Sequence, residues 1–277
     1  MKALTVFRGL LAFLTAIPVK MDESFLKISA RFMFLFPIIG ILIGFLAGVY
    51  SFLASNVLFL LFNSLSTILF SGSQFLFSLF AKGFASIMTL AFILILIGLQ
   101  HTDGLVDVGN ALGIRHASLE DKVEIAHEWT VTRTGVLLAI MVSFLTFLPI
   151  FLMETDIIIQ SLIVAETSAK LAMVTCGWQG SSPSPRFYED KYEKGRDFID
   201  HIRKKHSLYA ISLAISLVVS ITLLGLSGLL AIVAGIVVGG FMIIVGKRVF
   251  GGVNGDIFGS TNEIARMVAL FVLVLVI

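Results

Sequence analysis

Long apolar runs alternate with polar connections along this chain, at spacings that suit a bilayer whose hydrocarbon core takes about 20 residues of helix. The first run begins near Phe32, passes through FPIIGILIG and extends to about Phe62, long enough to tilt or bend. A polar connection from Asn63 to Gln74 leads to a second run ending near Gln100. Further runs cover about Gly135 to Met153, Ile157 to Cys176, Ser207 to Leu224 and Leu229 to Lys247, and a shorter one from Ile264 to Ile277 completes a seventh crossing. The pattern predicts an all-α, polytopic membrane bundle of about seven transmembrane helices, one integral membrane domain over residues 1–277. Residues 1–32 alternate apolar and basic positions, which predicts an amphipathic segment on the membrane surface; the interrupted apolar core argues against a cleavable signal peptide. Gly40, Gly44 and Gly48 recur every four residues, a small-residue stripe that another helix can approach closely. A short amphipathic helix is expected at Leu119 to Trp129.

Composition narrows the class. Hydrophobic residues make up 57% of the chain and charged residues 14%, against about 45–50% and about 25% in soluble domains, so the lipid bilayer is the partner the chain is built for. A net charge of +2 and twenty-five phenylalanines spread through the apolar runs carry no nucleic-acid signature. One cysteine, Cys176, excludes an internal disulfide, and its apolar neighbours favour a structural thiol. Lysines and arginines number five before the first crossing, then one, three, none, seven, none and two in successive connections. By the positive-inside rule the N-terminus is expected in the cytoplasm and the C-terminus outside, with the polar segments after crossings two, four and six on the cytoplasmic side.

Candidate chemistry lies in two of those segments. The stretch HTDGLVDVGNALG, His101 to Gly113, carries Asp103 and Asp107 four residues apart, hence on one face of a helix, with Gly104 beside them. Two carboxylates and the oxygens of a phosphorylated substrate suffice for a hard cation such as Mg²⁺; the same acids also suit the capping and solvation of a helix end. Near the C-terminus, GGVNGDIFGSTNE holds Asn254, Gly255, Asp256, Asn262 and Glu263, and its glycines allow backbone amides to approach a phosphate. Asp256 and Glu263, seven apart, share a face if a helix starts near Asp256; a flexible re-entry turn is the alternative. Arg133 is either a fork for a phosphate or a topology anchor. Glu166 and Lys170 sit inside the fourth crossing, as a site in a polar cavity or as a mutually neutralising pair.

HTDGLVD followed by GNALG, together with GGVNGDIFGSTNE, FLTAIPV and FPIIGILIG, resembles the cobalamin synthase family of adenosylcobinamide-GDP ribazoletransferases over nearly the whole chain. The resemblance implies a Mg²⁺-dependent enzyme of the prokaryotic inner membrane that joins adenosylcobinamide-GDP to α-ribazole or its 5′-phosphate, releasing GMP late in vitamin B12 synthesis. It implies Asp103, Asp107 and Asp256 as the metal set on the diphosphate, Glu263 completing it or orienting water, and His101 as general base or structural hydrogen-bonding group. Asn110, Arg133, Asn254, Gly255, Glu166 and Lys170 would then face substrate. The chain departs from the family pattern at Asn110, where an aspartate is usual, at Asn254, where Thr is common, and at Glu128-Trp129-Thr130, where a D-S-R run is frequent. Two other classes stay open. A CDP-alcohol phosphotransferase would show a longer D-G-x-x-A-R pattern, which is absent, and a secondary transporter would show related halves. A homo-oligomer is compatible with the sequence.

Overall fold

The computed structural model describes residues 3–20, 24–69, 74–114, 118–127, 131–184 and 193–277, and these are helical with no strand among them. Two short helices, α1 (Ala3–Leu14) and α2 (Ser24–Arg31), precede the long α3 (Phe36–Leu69) and α4 (Gln74–Leu96). α5 (Gln100–Leu112) and α6 (Leu119–His127) are short; α7 (Arg133–Leu152) and α8 (Ile158–Gln179) are long. The short α9 (Glu193–Ile202) leads into α10 (His206–Val249) and α11 (Gly255–Val276).

Six helical stretches are long and apolar enough to cross a membrane, and α10, with 44 residues, is two of the expected crossings in one. Gly225 has φ 55° and ψ −128°, a conformation that L side chains rarely adopt, and the chain folds back there. A Cβ on Gly228 would lie 2.1 Å from the Ser220 carbonyl oxygen, a proximity impossible in a straight helix. The limb before Gly225 runs back along α8, with Tyr209 beside Thr175. The limb after it runs with α8, Gly235 facing Ser168 and Gly239 facing Ala172. Seven crossings result, as the apolar pattern predicts.

α8 is the axis of the bundle. It packs against α3, α10 and α11, and 83% of its apolar window is buried by protein, against 28% for α4 and α7. The expected glycine stripe explains how α3 reaches it. A Cβ on Gly40, Gly44 or Gly48 would come within 2.6, 2.4 and 2.7 Å of the backbone at Glu166, Leu162 and Ile159. Backbones this close maximise dispersion contact where lipid tails give helices no hydrophobic reason to associate.

Two boundaries differ from the sequence reading. The last crossing begins at Gly255, so the polar DIFGSTNE residues form the first turns of α11 and not a connection ahead of it. Asn254 caps that helix, its Oδ1 accepting from the Ile257 amide at 3.0 Å. The second crossing stops at Leu96 because Gly98 and Leu99 take positive φ, 72° and 61°, and turn the chain into α5. For Leu99 that conformation costs about 1–2 kcal/mol. α6 starts where Ser118 and Asp121 cap each other, both bonds 3.1 Å. The N-terminal α1 and α2 bury Val6, Leu10, Leu14 and Ile28 against each other and the bundle, and Ala16 donates to the Leu96 carbonyl at 2.7 Å.

Candidate active site

The turn at Leu99 lays α5 across the first turns of α11, and the approach is close. A Cβ on Gly104 would meet the Asp256 backbone at 2.8 Å, and one on Gly259 would meet the His101 backbone at 3.1 Å. The glycine inside the HTDGLVD motif is therefore what lets the two acidic segments, about 150 residues apart, touch. The connection after α8 joins them, since Val253 donates to the Ser181 carbonyl at 2.8 Å. The polar segments following crossings two, four and six thus gather at one end of the bundle.

Asp103 is exposed in the first turn of α5, while Asp107 and Asp256 are half-buried. Asn254, besides capping α11, donates from Nδ2 to Asp256 Oδ2 at 2.7 Å and so orients that carboxylate. Gly255 is exposed, with open space where a side chain would be. The N-terminus of a helix is a place where an anion is favoured. Among the described residues no three His, Cys, Asp or Glu are grouped closely enough to hold a metal ion by themselves. The aspartates carried by these two touching helices offer oxygen donors, the ligand type a hard cation prefers alongside water and phosphate.

Glu263 keeps different company from that implied by the resemblance. Its Oε2 accepts from Arg266 Nη1 at 2.6 Å and its Oε1 from Asn262 Nδ2 at 3.1 Å, so both oxygens are taken. Arg266 also donates from Nε to Glu166, and Lys170 lies 3.7 Å from the other Glu166 oxygen while donating to Asn262 Oδ1 at 2.5 Å. Two acids, two bases and an amide form one charge-balanced cluster between α8 and α11, nearly all of it inaccessible to solvent. Glu166 and Lys170 are indeed a pair, but one that Arg266 completes. Sequence reading missed Arg266, which stands three residues into the last apolar run; its i,i+3 spacing from Glu263 was the available signal.

His101 sits between this cluster and the aspartates. It is buried, and its Nδ1 has no hydrogen-bond partner among the described residues. Burial, then the neighbouring Lys170 and Arg266 charges, hold its pKa well below the usual imidazole value, so the ring is neutral near pH 7.

Asn110 and Arg133 lie toward the other end of α5. Asn110 Oδ1 accepts from the Thr132 amide at 3.0 Å and from its hydroxyl at 2.7 Å, and thereby fixes the start of α7. Its carbonyl is spent on helix packing, not offered to a ligand. Arg133 is exposed at the first position of α7. The Glu128-Trp129-Thr130 run lies outside the described residues.

A multi-pass membrane protein with phosphate-suited, oxygen-rich chemistry at one end of its helices is the class these features define. Within that class the chain belongs to the cobalamin-5-phosphate synthase family, whose model matches residues 6–274. A protein of Methanocella arvoryzae named adenosylcobinamide-GDP ribazoletransferase is 30% identical, over 96% of this chain and 94% of its own length. Proteins of the same name from Methanococcoides burtonii and Halorubrum lacusprofundi are 26% and 27% identical, covering 99% and 96% of this chain and 93% and 95% of their own lengths. No solved structure matches.

Proposed function

We propose that this protein is an adenosylcobinamide-GDP ribazoletransferase that joins adenosylcobinamide-GDP to α-ribazole or its 5′-phosphate and releases GMP. The similarity to the named relatives supports the activity, and one structural observation carries its location: the Gly104–Asp256 contact that brings the aspartates of α5 to the capped N-terminus of α11. A ribose hydroxyl of the acceptor forms a bond to the phosphorus on the cobinamide side of the diphosphate. The bond from that phosphorus to GMP breaks, and its electron pair leaves with GMP.

Such transfers depend on positioning and charge neutralisation more than on covalent catalysis. Mg²⁺ held by Asp103, Asp107 and Asp256 would supply charge neutralisation at the diphosphate. Asn254 orients Asp256, and the exposed Gly255 at the start of α11 leaves room for a phosphate to approach the helix N-terminus. His101, neutral and lacking a partner on Nδ1, is placed to accept the hydroxyl proton. Glu166, Lys170, Arg266 and Glu263 act behind it, holding α8 and α11 in register under the site. We place this end of the bundle on the cytoplasmic side of the prokaryotic inner membrane, because the basic connections flank it. Purified protein incubated with adenosylcobinamide-GDP and α-ribazole, with and without Mg²⁺, should release GMP only when both substrates and the metal are present. Absence of GMP under those conditions would overturn the assignment.

A further inference from the structure

Beside Asp256, on the bundle side of α1, α2 and α9, lies a cavity of about 240 Å³. Gln100, His101 and Asp256 line its polar side, and Phe13, Phe36, Phe198 and Phe258, with Leu26 and Met173, form its apolar walls. The rings form a continuous nest. Phe198 stacks on Phe13 with centroids 4.7 Å apart and an interplanar angle of 27°, and lies 6.2 Å from both Phe36 and Phe258. Four helices that are far apart in the chain, α1, α3, α9 and α11, each contribute one ring.

We propose that this cavity seats the planar aromatic base of the acceptor riboside, with the ribose turned toward His101 and Asp256. The inference rests on the activity proposed above and assigns that acceptor its place. Size comes first: pockets that enclose a whole drug-sized ligand run at about 300–1,000 Å³, so this one takes a single fused-ring base and excludes a corrin macrocycle. Chemistry then separates the two bases in the reaction. Guanine carries donors and acceptors around most of its edge, more than Gln100, His101 and Asp256 on one side of the cavity can meet, and the apolar walls would leave the others unpaired. The benzimidazole of α-ribazole has one unsubstituted ring nitrogen and a broad apolar face, which matches walls that offer stacking and little hydrogen bonding. Position completes the argument, since the polar side of the cavity is the Asp256 and His101 face at which phosphoryl transfer is placed, so a base held among the rings presents its sugar to the phosphorus.

The test uses the full-length protein in detergent, with α-ribazole binding followed by equilibrium dialysis and GMP release followed with each substrate varied. Phe198→Ala should raise Kd and KM for α-ribazole by about tenfold, and Phe13→Leu by about threefold, while KM for adenosylcobinamide-GDP stays within about twofold. α1 and α9 lie outside the crossings, and an unchanged KM for adenosylcobinamide-GDP reports an intact fold. Where Phe198→Ala loses both substrates through misfolding, Phe13→Leu decides. Unchanged α-ribazole binding in a folded variant overturns the proposal, and so does a raised KM confined to adenosylcobinamide-GDP, which would put guanine in the cavity. Wild-type protein that binds α-ribazole in a Phe198-dependent way without releasing GMP would refute the activity and keep the pocket. GMP release with acceptor binding indifferent to both variants would do the reverse.

Discussion

Arg266 of α11 donates from its Nε to Oε1 of Glu166 on α8, across one hundred residues of chain and with both side chains completely buried. Removing Glu166 leaves Lys170 and Arg266 facing Glu263 as the cluster's one carboxylate, and an uncompensated buried charge typically costs about 3–5 kcal/mol. Glu166→Gln should therefore lower the thermal midpoint in detergent by several degrees and reduce the amount of folded protein in membranes. Glu166→Gln combined with Arg266→Met should lose less than the sum of the two single changes. Additive losses in the double-mutant cycle would show that the two residues are not energetically coupled.

The exposed Asp103 contributes little to packing, so Asp103→Asn should abolish most turnover at unchanged stability and abundance. Near wild-type turnover in saturating Mg²⁺ would remove it from the site. Asp107→Asn and Asp256→Glu should each shift the Mg²⁺ midpoint upward, and combining them should cost less than the product of the single effects, because both disturb one unit. Multiplicative effects with an unchanged midpoint would separate α5 from α11 chemically.

His101 supplies a pH dependence with a definite sign. Its folded-state pKa lies well below the ordinary imidazole value of about 6.5, so between the two the unfolded chain takes up a proton that the folded chain does not. Stability is full above the unfolded value and falls as pH drops through the window beneath it, by at most about 1.4 kcal/mol per pH unit. In metal-free buffer with chelator, acidification from about pH 7.5 to about pH 5.5 should lower the unfolding midpoint of the wild type more than that of His101→Gln. Equal losses would mean that His101 is not the group responsible.

Placing the aspartates at one end of the bundle also fixes which turns are opposite. In a Cys176→Ser background, Ser118→Cys should react with impermeant thiol reagents from the cytoplasmic side, and Glu154→Cys, in the turn between α7 and α8, from the outside. Labelling of both positions from one side would contradict seven crossings with this orientation.

Much of this was legible before any coordinates. Crossing lengths follow from bilayer thickness, and Gly40, Gly44 and Gly48 mark the face of α3 that meets α8 because only small residues permit that approach. The boundary between the runs ending at Leu224 and beginning at Leu229 falls where Gly225 leaves helical geometry. What could not be read was partnership. Glu263 joins the aspartates in the set that the family resemblance implies and shares a stretch with Asp256, whereas its direction on α11 turns it inward to Arg266. Asn110 looked like a member of a ligand set, and its oxygen is used by Thr132 to set the start of α7. Periodicity reports which face a residue occupies, but the identity of the opposing helix is set by tertiary packing. Arg266 escaped notice for the same reason: its acid partner Glu166 belongs to another crossing.

The buried cluster has a consequence for biogenesis. Translation proceeds from the N-terminus, so Glu166 and Lys170 enter the bilayer about one hundred residues before Arg266 is made. During that interval they have only each other, at 3.7 Å in the finished protein, and the neutral surface that α8 will later share with α11 is uncovered. Arrival of the last helix is thus the event that seals the polar interior from lipid. Nascent chains halted before Gly255 should be recognised by membrane proteases and cleared, whereas chains halted after Val276 should persist. Pulse-chase comparison of the two would reveal whether the seventh crossing serves as the closing latch of assembly.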